Sequence, residues 1–223
     1  MRLTRTRMLI LMLVPAAIGS FFLPRHFADG ILPNAEVRGF AERDRREAAP
    51  ADAPLFVGGS SLRRWDTAQA FPGRHVVDHA FNGATTHGIL ANYSAITAGR
   101  HPGVIVLHVG ENDIAEAGKT PVQTLATLEK LIRRLRRDHR AASLIVLSLK
   151  PSPARWNLWP QFVQVNAMLE SRARDQGYRF INVSGVLLGP DGKPDPSLYV
   201  RDGIHLNSAG YHRWQLLLEP FVK

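Results

Sequence analysis

Short apolar runs alternate with helical patterns along the chain from about residue 54 onward. The runs contain few polar positions, which is typical of strands buried on both faces of a parallel sheet. Five runs have strand length: Leu55–Val57, His75–Asp78, Gly103–His108, Ser143–Ser148 and Tyr178–Val183. Because helical patterns separate them, we predict an α/β fold with a five-stranded parallel sheet covered by helices on both faces.

The strongest helical pattern extends over about Pro121 to Asp138. Proline in the first turn and apolar residues on one face predict an amphipathic helix. Its other face carries Arg133, Arg134, Arg136 and Arg137, which we interpret as a solvated surface able to contact anionic lipid. Weaker patterns predict helices from Ser61 and over about 87–97, 159–176 and 207–221.

The first 25 residues have the pattern of a targeting segment. Arg2, Arg5 and Arg7 precede the apolar run Met8–Leu23. This order is typical of a secretory signal peptide or a short membrane anchor, and a full span needs about 20 apolar residues. We therefore expect an exported protein, periplasmic or otherwise extracytoplasmic, that meets the membrane through residues 1–25. Whether this leader is removed stays open.

Residues 26–53 are rich in charges, alanine and proline. We interpret them as a tether, partly helical over about Val37 to Glu47, that separates a domain over 54–223 from the bilayer.

Composition and charge limit the classes of function that the protein can have. The 223 residues are 45% hydrophobic, enough for one substantial core. The net charge is +9, but four arginines fall in the first 25 residues, which hold no acid, so nine minus four leaves +5 for the rest. With that mild excess and no zinc-ligand or aromatic-basic motif, nucleic-acid binding is disfavoured. The absence of cysteine excludes disulfides and a thiolate nucleophile.

Ligands of such sheets bind at the carboxyl ends of the strands, so the loops that follow the strands are the place to look for chemistry. The first loop is Gly58-Gly59-Ser60. A serine at this strand-to-helix turn lies near a helix amino end, which favours developing negative charge. Taken alone, Gly-Gly-Ser favours the interpretation of Ser60 as a helix N-cap, so the motif needs partners.

Other loops supply possible partners for Ser60. His205 could act as its base, and Asp202, three residues earlier, could fix the histidine tautomer. Gly83 offers a backbone N–H and Asn112 an amide N–H for an oxyanion. Each also has an ordinary interpretation: a capping aspartate, a packed histidine, a turn glycine and an asparagine bonded within its own loop.

Together these loops resemble a known family. The blocks Gly58-Gly59-Ser60, Phe81-Asn82-Gly83, Gly110-Glu111-Asn112-Asp113 and Asp202-Gly203-Ile204-His205 are similar, in order and loop position, to those of the SGNH hydrolase superfamily, the GDSL-type esterases and lipases. The resemblance runs from about Pro54 to the end of the chain. It implies a three-layer α/β/α, flavodoxin-like fold.

The resemblance also implies roles for individual residues. Ser60 would be the nucleophile, and its N–H would form the oxyanion hole with the Gly83 N–H and the Asn112 side chain. His205 would be the general base and then the acid, oriented by Asp202, and no metal or other cofactor would be needed. One departure is Gly59, which stands where the signature usually has aspartate, although serine also occurs there.

We therefore predict a serine esterase acting on an acyl ester, for example an acetyl ester, of a small molecule, a glycan or a lipid. Acyl transfer to a sugar hydroxyl and a non-catalytic binding domain are the alternatives. Arg155 and Trp156 are candidate substrate contacts, together with Trp159 and Trp65, because aromatic faces suit a sugar ring or an acyl chain. Trp65 could equally be a core anchor. The oligomeric state stays open.

Three further histidines, His79, His87 and His108, are interpreted as ordinary loop or core residues, since their spacing does not require a metal.

Overall fold

A computed structural model describes residues 35–47 and 49–222. The strands are β1 (Leu55–Gly58), β2 (Val77–Asp78), β3 (Val104–His108), β4 (Ser143–Leu147) and β5 (Arg179–Ile181). The helices are α1 (Ala35–Arg38), α2 (Phe40–Arg46), α3 (Ser60–Arg63), α4 (Thr67–Ala70), α5 (Thr86–Ala91), α6 (Tyr93–Thr97), α7 (Glu111–Ala115), α8 (Pro121–Asp138), α9 (Trp159–Arg172) and α10 (Ser208–Leu218). Short 3-10 helices cover Pro153–Leu158, Gly185–Leu187 and Pro196–Leu198.

The five strands form one sheet in the order β2-β1-β3-β4-β5, and every neighbouring pair is parallel. The chain winds outward from β1 in one direction to β2 and then in the other through β3, β4 and β5. The change of direction places a topological switch point between β1 and β3, where open α/β sheets bind their ligands. The predicted α/β class and five-stranded parallel sheet are confirmed.

Successive strand residues alternate between two cores, one on each face of the sheet. In β3, Ile105 and Leu107 belong to the cluster that includes α8 and α9, whereas Val106 belongs to the cluster that includes α3 and α10. Because both faces are covered, each strand needs apolar side chains at nearly every position. This three-layer arrangement explains why the strands read as continuous apolar runs.

Helix α8 has the predicted bounds because signals within its own sequence define them. Thr120 and Gln123 form a capping box at its amino end, and Pro121 occupies the first turn. The apolar face is buried against the sheet: Leu125, Leu128, Leu131, Ile132 and Leu135.

Other elements are shorter than their patterns predict. The pattern over 87–97 forms two helices, α5 and α6, which meet at Asn92. The Asn92 side chain donates to the Gly88 carbonyl, so it competes with the backbone ladder at that turn. Strand β2 keeps only Val77 and Asp78 of its predicted four residues.

The segment before the sheet differs from the tether that its composition predicts. Helices α1 and α2 agree with the predicted partial helix, but they pack on the domain through Val37 and Phe40, which are 2% and 0% exposed. The Phe40 ring stacks on His79 at 4.4 Å, and Asp44 pairs with His79 and Arg100. Two apolar residues three apart bury one face of this short segment, so residues 36–47 belong to the folded unit.

The predicted leader, residues 1–25, and the first part of the predicted tether lie outside the described residues. Within the part of the chain that the structure describes, no helix combines the length and the apolar character needed to cross a membrane.

Replacing Phe40 with alanine is expected to lower the free energy of unfolding by about 3–5 kcal/mol, because it opens a cavity in the main core. Urea denaturation followed by circular dichroism measures this change. Arg45→Ala, an exposed position on the same helix, serves as the control and should change stability by less than about 0.5 kcal/mol. Equal stability of the two variants would show that this segment is a detached tether.

Candidate active site

Ser60 is held at the end of β1 by an unusually close approach of two strands. Gly58 lies opposite His108 in the β1–β3 register, and a Cβ on Gly58 would stand 2.2 Å from the His108 carbonyl oxygen. The next residue, Gly59, donates its N–H to that same oxygen at 3.0 Å. Helix α3 begins at Ser60, the next residue. The Ser60 hydroxyl therefore lies at the amino end of α3, where the backbone N–H groups of the first turn are located.

His205 reaches Ser60 from the far end of the chain. Its Nε2 lies 2.7 Å from Ser60 Oγ, and its Nδ1 lies 2.7 Å from Asp202 Oδ2. Asp202 Oδ1 accepts the N–H groups of Ile204 and His205 at 2.8 and 2.9 Å, which curls the loop around the carboxylate. Gly203 permits this turn with a φ of 64°. The hydroxyl, the imidazole and the carboxylate therefore form one hydrogen-bonded series.

The Asp202 carboxylate is stabilised in its charged form. Partial burial raises its pKa, but hydrogen bonds from the His205 side chain and from the backbone N–H groups of His205 and Ile204 outweigh this and lower the pKa to about 2. Arg64 Nη1 lies 3.6 Å from Asp202 Oδ2, a contact that the sequence did not indicate. Asp202 is therefore ionised at any pH near neutrality.

Gly83 lies in the loop between β2 and α5, and Asn112 lies in the first turn of α7. Gly83 has a φ of 70°, a conformation that favours glycine. Asn112 donates through Nδ2 to the Ala84 carbonyl at 3.1 Å. Gly59, Ser60, Ala84 and Asn112 contribute to the lining of a recess of about 10 Å³, close to the volume that a single water molecule requires.

The Arg155 guanidinium donates hydrogen bonds to two side chains of the protein. Its Nη1 donates to Asn112 Oδ1 at 3.0 Å, and its Nη2 donates to Glu116 Oε1 at 2.8 Å. These bonds orient the Asn112 amide, because an oxygen that accepts from arginine turns the nitrogen toward the opposite side. Arg155, a candidate substrate contact in the sequence, thus has hydrogen-bond partners within the protein.

The candidate aromatic residues separate into two groups. Trp156 and Trp159 stack on each other with ring centroids 5.9 Å apart, and both are half-buried. Trp65 is 5% exposed and packs with Tyr211 and Trp214, which supports its interpretation as a core anchor.

The three histidines interpreted above as ordinary loop or core residues are placed either in the core or on the surface. His79 and His108 are buried, and His87 is exposed in helix α5.

Asp113 is a structural residue that the sequence analysis did not single out. It is fully buried and accepts hydrogen bonds from the Thr86 N–H, the Thr86 hydroxyl and Lys119 Nζ. A buried carboxylate with three donors joins α7 to the start of α5. These hydrogen bonds therefore hold the segment that follows Gly83 against the helix that contains Asn112.

A serine, a histidine and an aspartate hydrogen-bonded in series lie at the switch point of a five-stranded parallel sheet with flavodoxin-like strand order, the arrangement that the resemblance to the SGNH hydrolases implies. The model of the GDSL-like lipase/acylhydrolase family matches residues 50–213, and the chain belongs to this family.

Solved structures share the fold at low sequence identity. A Streptococcus pneumonia protein described as a candidate platelet activating factor is 21% identical, with a TM-score of 0.75 over 86% of this chain and 93% of that one. A GDSL-like lipase from Bacteroides thetaiotaomicron is 20% identical, with a TM-score of 0.71 over 83% and 96%. A mutant of an acetyl-xylooligosaccharide esterase from Geobacillus is 14% identical, with a TM-score of 0.63 over 78% and 95%. No curated protein sequence matches the chain.

The adjacent glycines Gly58 and Gly59 should tolerate alanine to very different degrees. Gly58→Ala is expected to cost about 3 kcal/mol or more, because the new methyl group collides with the His108 carbonyl. Gly59→Ala should cost no more than about 1 kcal/mol, because its nearest neighbours would be at 3.8 Å and its φ of −95° suits alanine. Thermal unfolding of both variants tests this, and similar melting temperatures would contradict the close strand approach.

Proposed function

We propose that the protein is a serine esterase that cleaves acyl esters through an acyl-enzyme on Ser60. The observation that carries the proposal is the 2.7 Å contact between Ser60 Oγ and His205 Nε2, continued at 2.7 Å by Asp202. An imidazole in this position accepts the hydroxyl proton as the oxygen attacks, which is what makes a serine nucleophilic near neutral pH.

In the first half of the reaction, Ser60 Oγ bonds to the ester carbonyl carbon and its proton passes to His205 Nε2. The tetrahedral intermediate collapses by breaking the bond to the alcohol oxygen, which takes the proton from His205 as it leaves. Asp202 stays ionised and stabilises the imidazolium formed between these two steps. The products at this stage are the free alcohol and an acyl-Ser60 ester.

In the second half, His205 takes a proton from water while the water oxygen attacks the acyl carbon. The second intermediate breaks the bond to Ser60 Oγ, which recovers its proton from His205, and the carboxylic acid is released. In each half of the reaction, His205 accepts one proton and then returns one, so the protons balance. No redox change occurs in either half.

Charge on the carbonyl oxygen would be stabilised by the N–H groups of Ser60 and Gly83 and by Asn112 Nδ2. An amide nitrogen carries two hydrogens, and the bond to the Ala84 carbonyl uses one of them. The small recess beside Ser60 has room for one oxygen atom. Donors oriented in advance favour the intermediate over the ground state.

For the substrate, we propose a short acyl ester, such as an acetyl group, carried by a glycan. The stacked rings of Trp156 and Trp159 follow Arg155, which contacts Asn112, and aromatic faces suit sugar rings. The structural similarity to an acetyl-xylooligosaccharide esterase points the same way. Esters of lipids are the competing substrates.

Labelling with a fluorophosphonate tests the nucleophile. We expect one adduct, located on Ser60 by mass spectrometry, and parallel loss of p-nitrophenyl acetate hydrolysis. Ser60→Ala and His205→Ala should each lower kcat by about 10³-fold or more while unfolding at nearly the wild-type temperature. Ser94→Ala, at an exposed serine in α6, should behave as wild type. Wild-type turnover in Ser60→Ala would eliminate the proposal.

Trp156→Ala tests the glycan proposal. The variant should lose about 10-fold in kcat/KM for acetylated xylo-oligosaccharides, because it loses one stacking face, and less than about 2-fold for p-nitrophenyl acetate. Val122→Ala, at an exposed apolar position of α8, is the control. Faster hydrolysis of p-nitrophenyl palmitate than of the acetate by wild type would favour a lipid substrate instead.

A further inference from the structure

Two oppositely charged side chains are buried between the loops that follow β3 and β4. Lys150 is 0% exposed and Glu111 is 8% exposed. Both follow strands that lead into the site, and neither takes part in the proton transfers proposed above.

The pair is joined by directional contacts. Lys150 Nζ lies 3.3 Å from Glu111 Oε2, and the Lys150 backbone N–H donates to Glu111 Oε1 at 3.0 Å. Lys150 Nζ also donates to the Ile204 carbonyl at 2.8 Å. One ammonium group therefore connects three separate stretches of chain.

The connected residues are neighbours of the reacting groups. Glu111 directly precedes Asn112, and Ile204 directly precedes His205. Helix α7, which carries Asn112, and the loop that carries His205 are thus connected through Lys150. A displacement of either segment would stretch a hydrogen bond of this buried pair.

Glu111 is held in its charged form. Burial raises its pKa, but the Lys150 ammonium, the nearby His108 and the Lys150 N–H together outweigh burial and leave the pKa well below its usual range. His108 Nε2 lies 3.4 Å from Glu111 Oε1, without the alignment of a hydrogen bond.

Stability alone is a poor explanation for a buried ion pair. The desolvation of two charges often cancels their attraction, and apolar side chains of similar volume can be as stable or more so. An apolar pair would have no donor for the Ile204 carbonyl, however. What the ion pair adds is a fixed distance between loops.

Lys150 is also badly placed for a general base of the serine–lysine type. Its Nζ donates to Glu111 and to Ile204, whereas Ser60 Oγ is bonded to His205. A base must lie within hydrogen-bond reach of the proton that it removes. Any effect of Lys150 on the reaction is therefore indirect.

We propose that Lys150 and Glu111 are positioning residues, which hold Asn112 and His205 at their working distance from Ser60. The inference rests on the proposed esterase function. In this role, the buried pair keeps the Asn112 amide aligned with the His205 imidazole.

The test compares Glu111→Gln, Lys150→Met and the double variant Glu111→Gln/Lys150→Met. Each single variant leaves one buried charge without its partner and should unfold at a lower temperature than wild type. The double variant has a neutral pair of similar volume and should recover most of that loss. Lys130→Met and Glu170→Gln, at exposed positions, are the matched controls for the loss of one charge.

The double variant separates positioning from stability. We expect its kcat for p-nitrophenyl acetate and its rate of fluorophosphonate labelling at Ser60 to fall by about 10–10²-fold, while KM changes by less than about 3-fold. A crystal structure of the variant should show a displaced 202–205 loop. A role confined to stability would leave kcat at the wild-type value once folding is recovered.

A stably folded double variant with wild-type kcat would overturn the inference. If that variant does not unfold cooperatively, Glu111→Gln/Lys150→Gln replaces it, because two amides can bond to each other while the shorter side chain cannot reach the Ile204 carbonyl. Wild-type kcat in this second variant would also overturn it. Failure of the esterase function itself is distinct, because wild type would then show neither labelling nor turnover.

Discussion

The close approach of the Gly58 backbone to the His108 carbonyl determines where the loop that carries Ser60 lies. With no side chain at position 58, β1 and β3 end in direct contact, and the Gly59 N–H bonds to the same carbonyl oxygen. Helix α3 then begins at Ser60, which lines the same recess as Asn112 in α7. A larger side chain at position 58 would push the ends of β1 and β3 apart and so separate Ser60 from Asn112, whose proximity the proposed reaction requires.

The rest of the site is assembled by buried polar contacts between loops. Asp113 joins α7 to the start of α5, and Lys150 joins α7 to the loop that carries His205. The Asn112 amide is bonded on both sides, to Ala84 and to Arg155. Because each contact is directional and largely shielded from water, together they restrict the loops more than apolar packing alone could.

Much of the fold could be predicted because its signals are local. Helix α8 has a capping box that marks its amino end and a continuous apolar stripe along its length. Its position could therefore be predicted from its own sequence. The segment with α1 and α2 shows the opposite case. Val37 and Phe40 are too few to reveal a buried face by periodicity, and the surrounding charges suggested a tether. Only packing against the domain reveals their role.

The sequence by itself determined the parallel sheet, the long amphipathic helix and the turn within Asp202-Gly203-Ile204-His205, since each depends on residues a few positions apart. Tertiary structure decided which loops meet. Ser60 and His205 are 145 residues apart, Lys150 and Ile204 54 apart, and Asn112 and Arg155 43 apart. The physical reason is that periodicity reports which side of an element is buried, whereas the partner of each buried or polar group depends on how the whole sheet is wound.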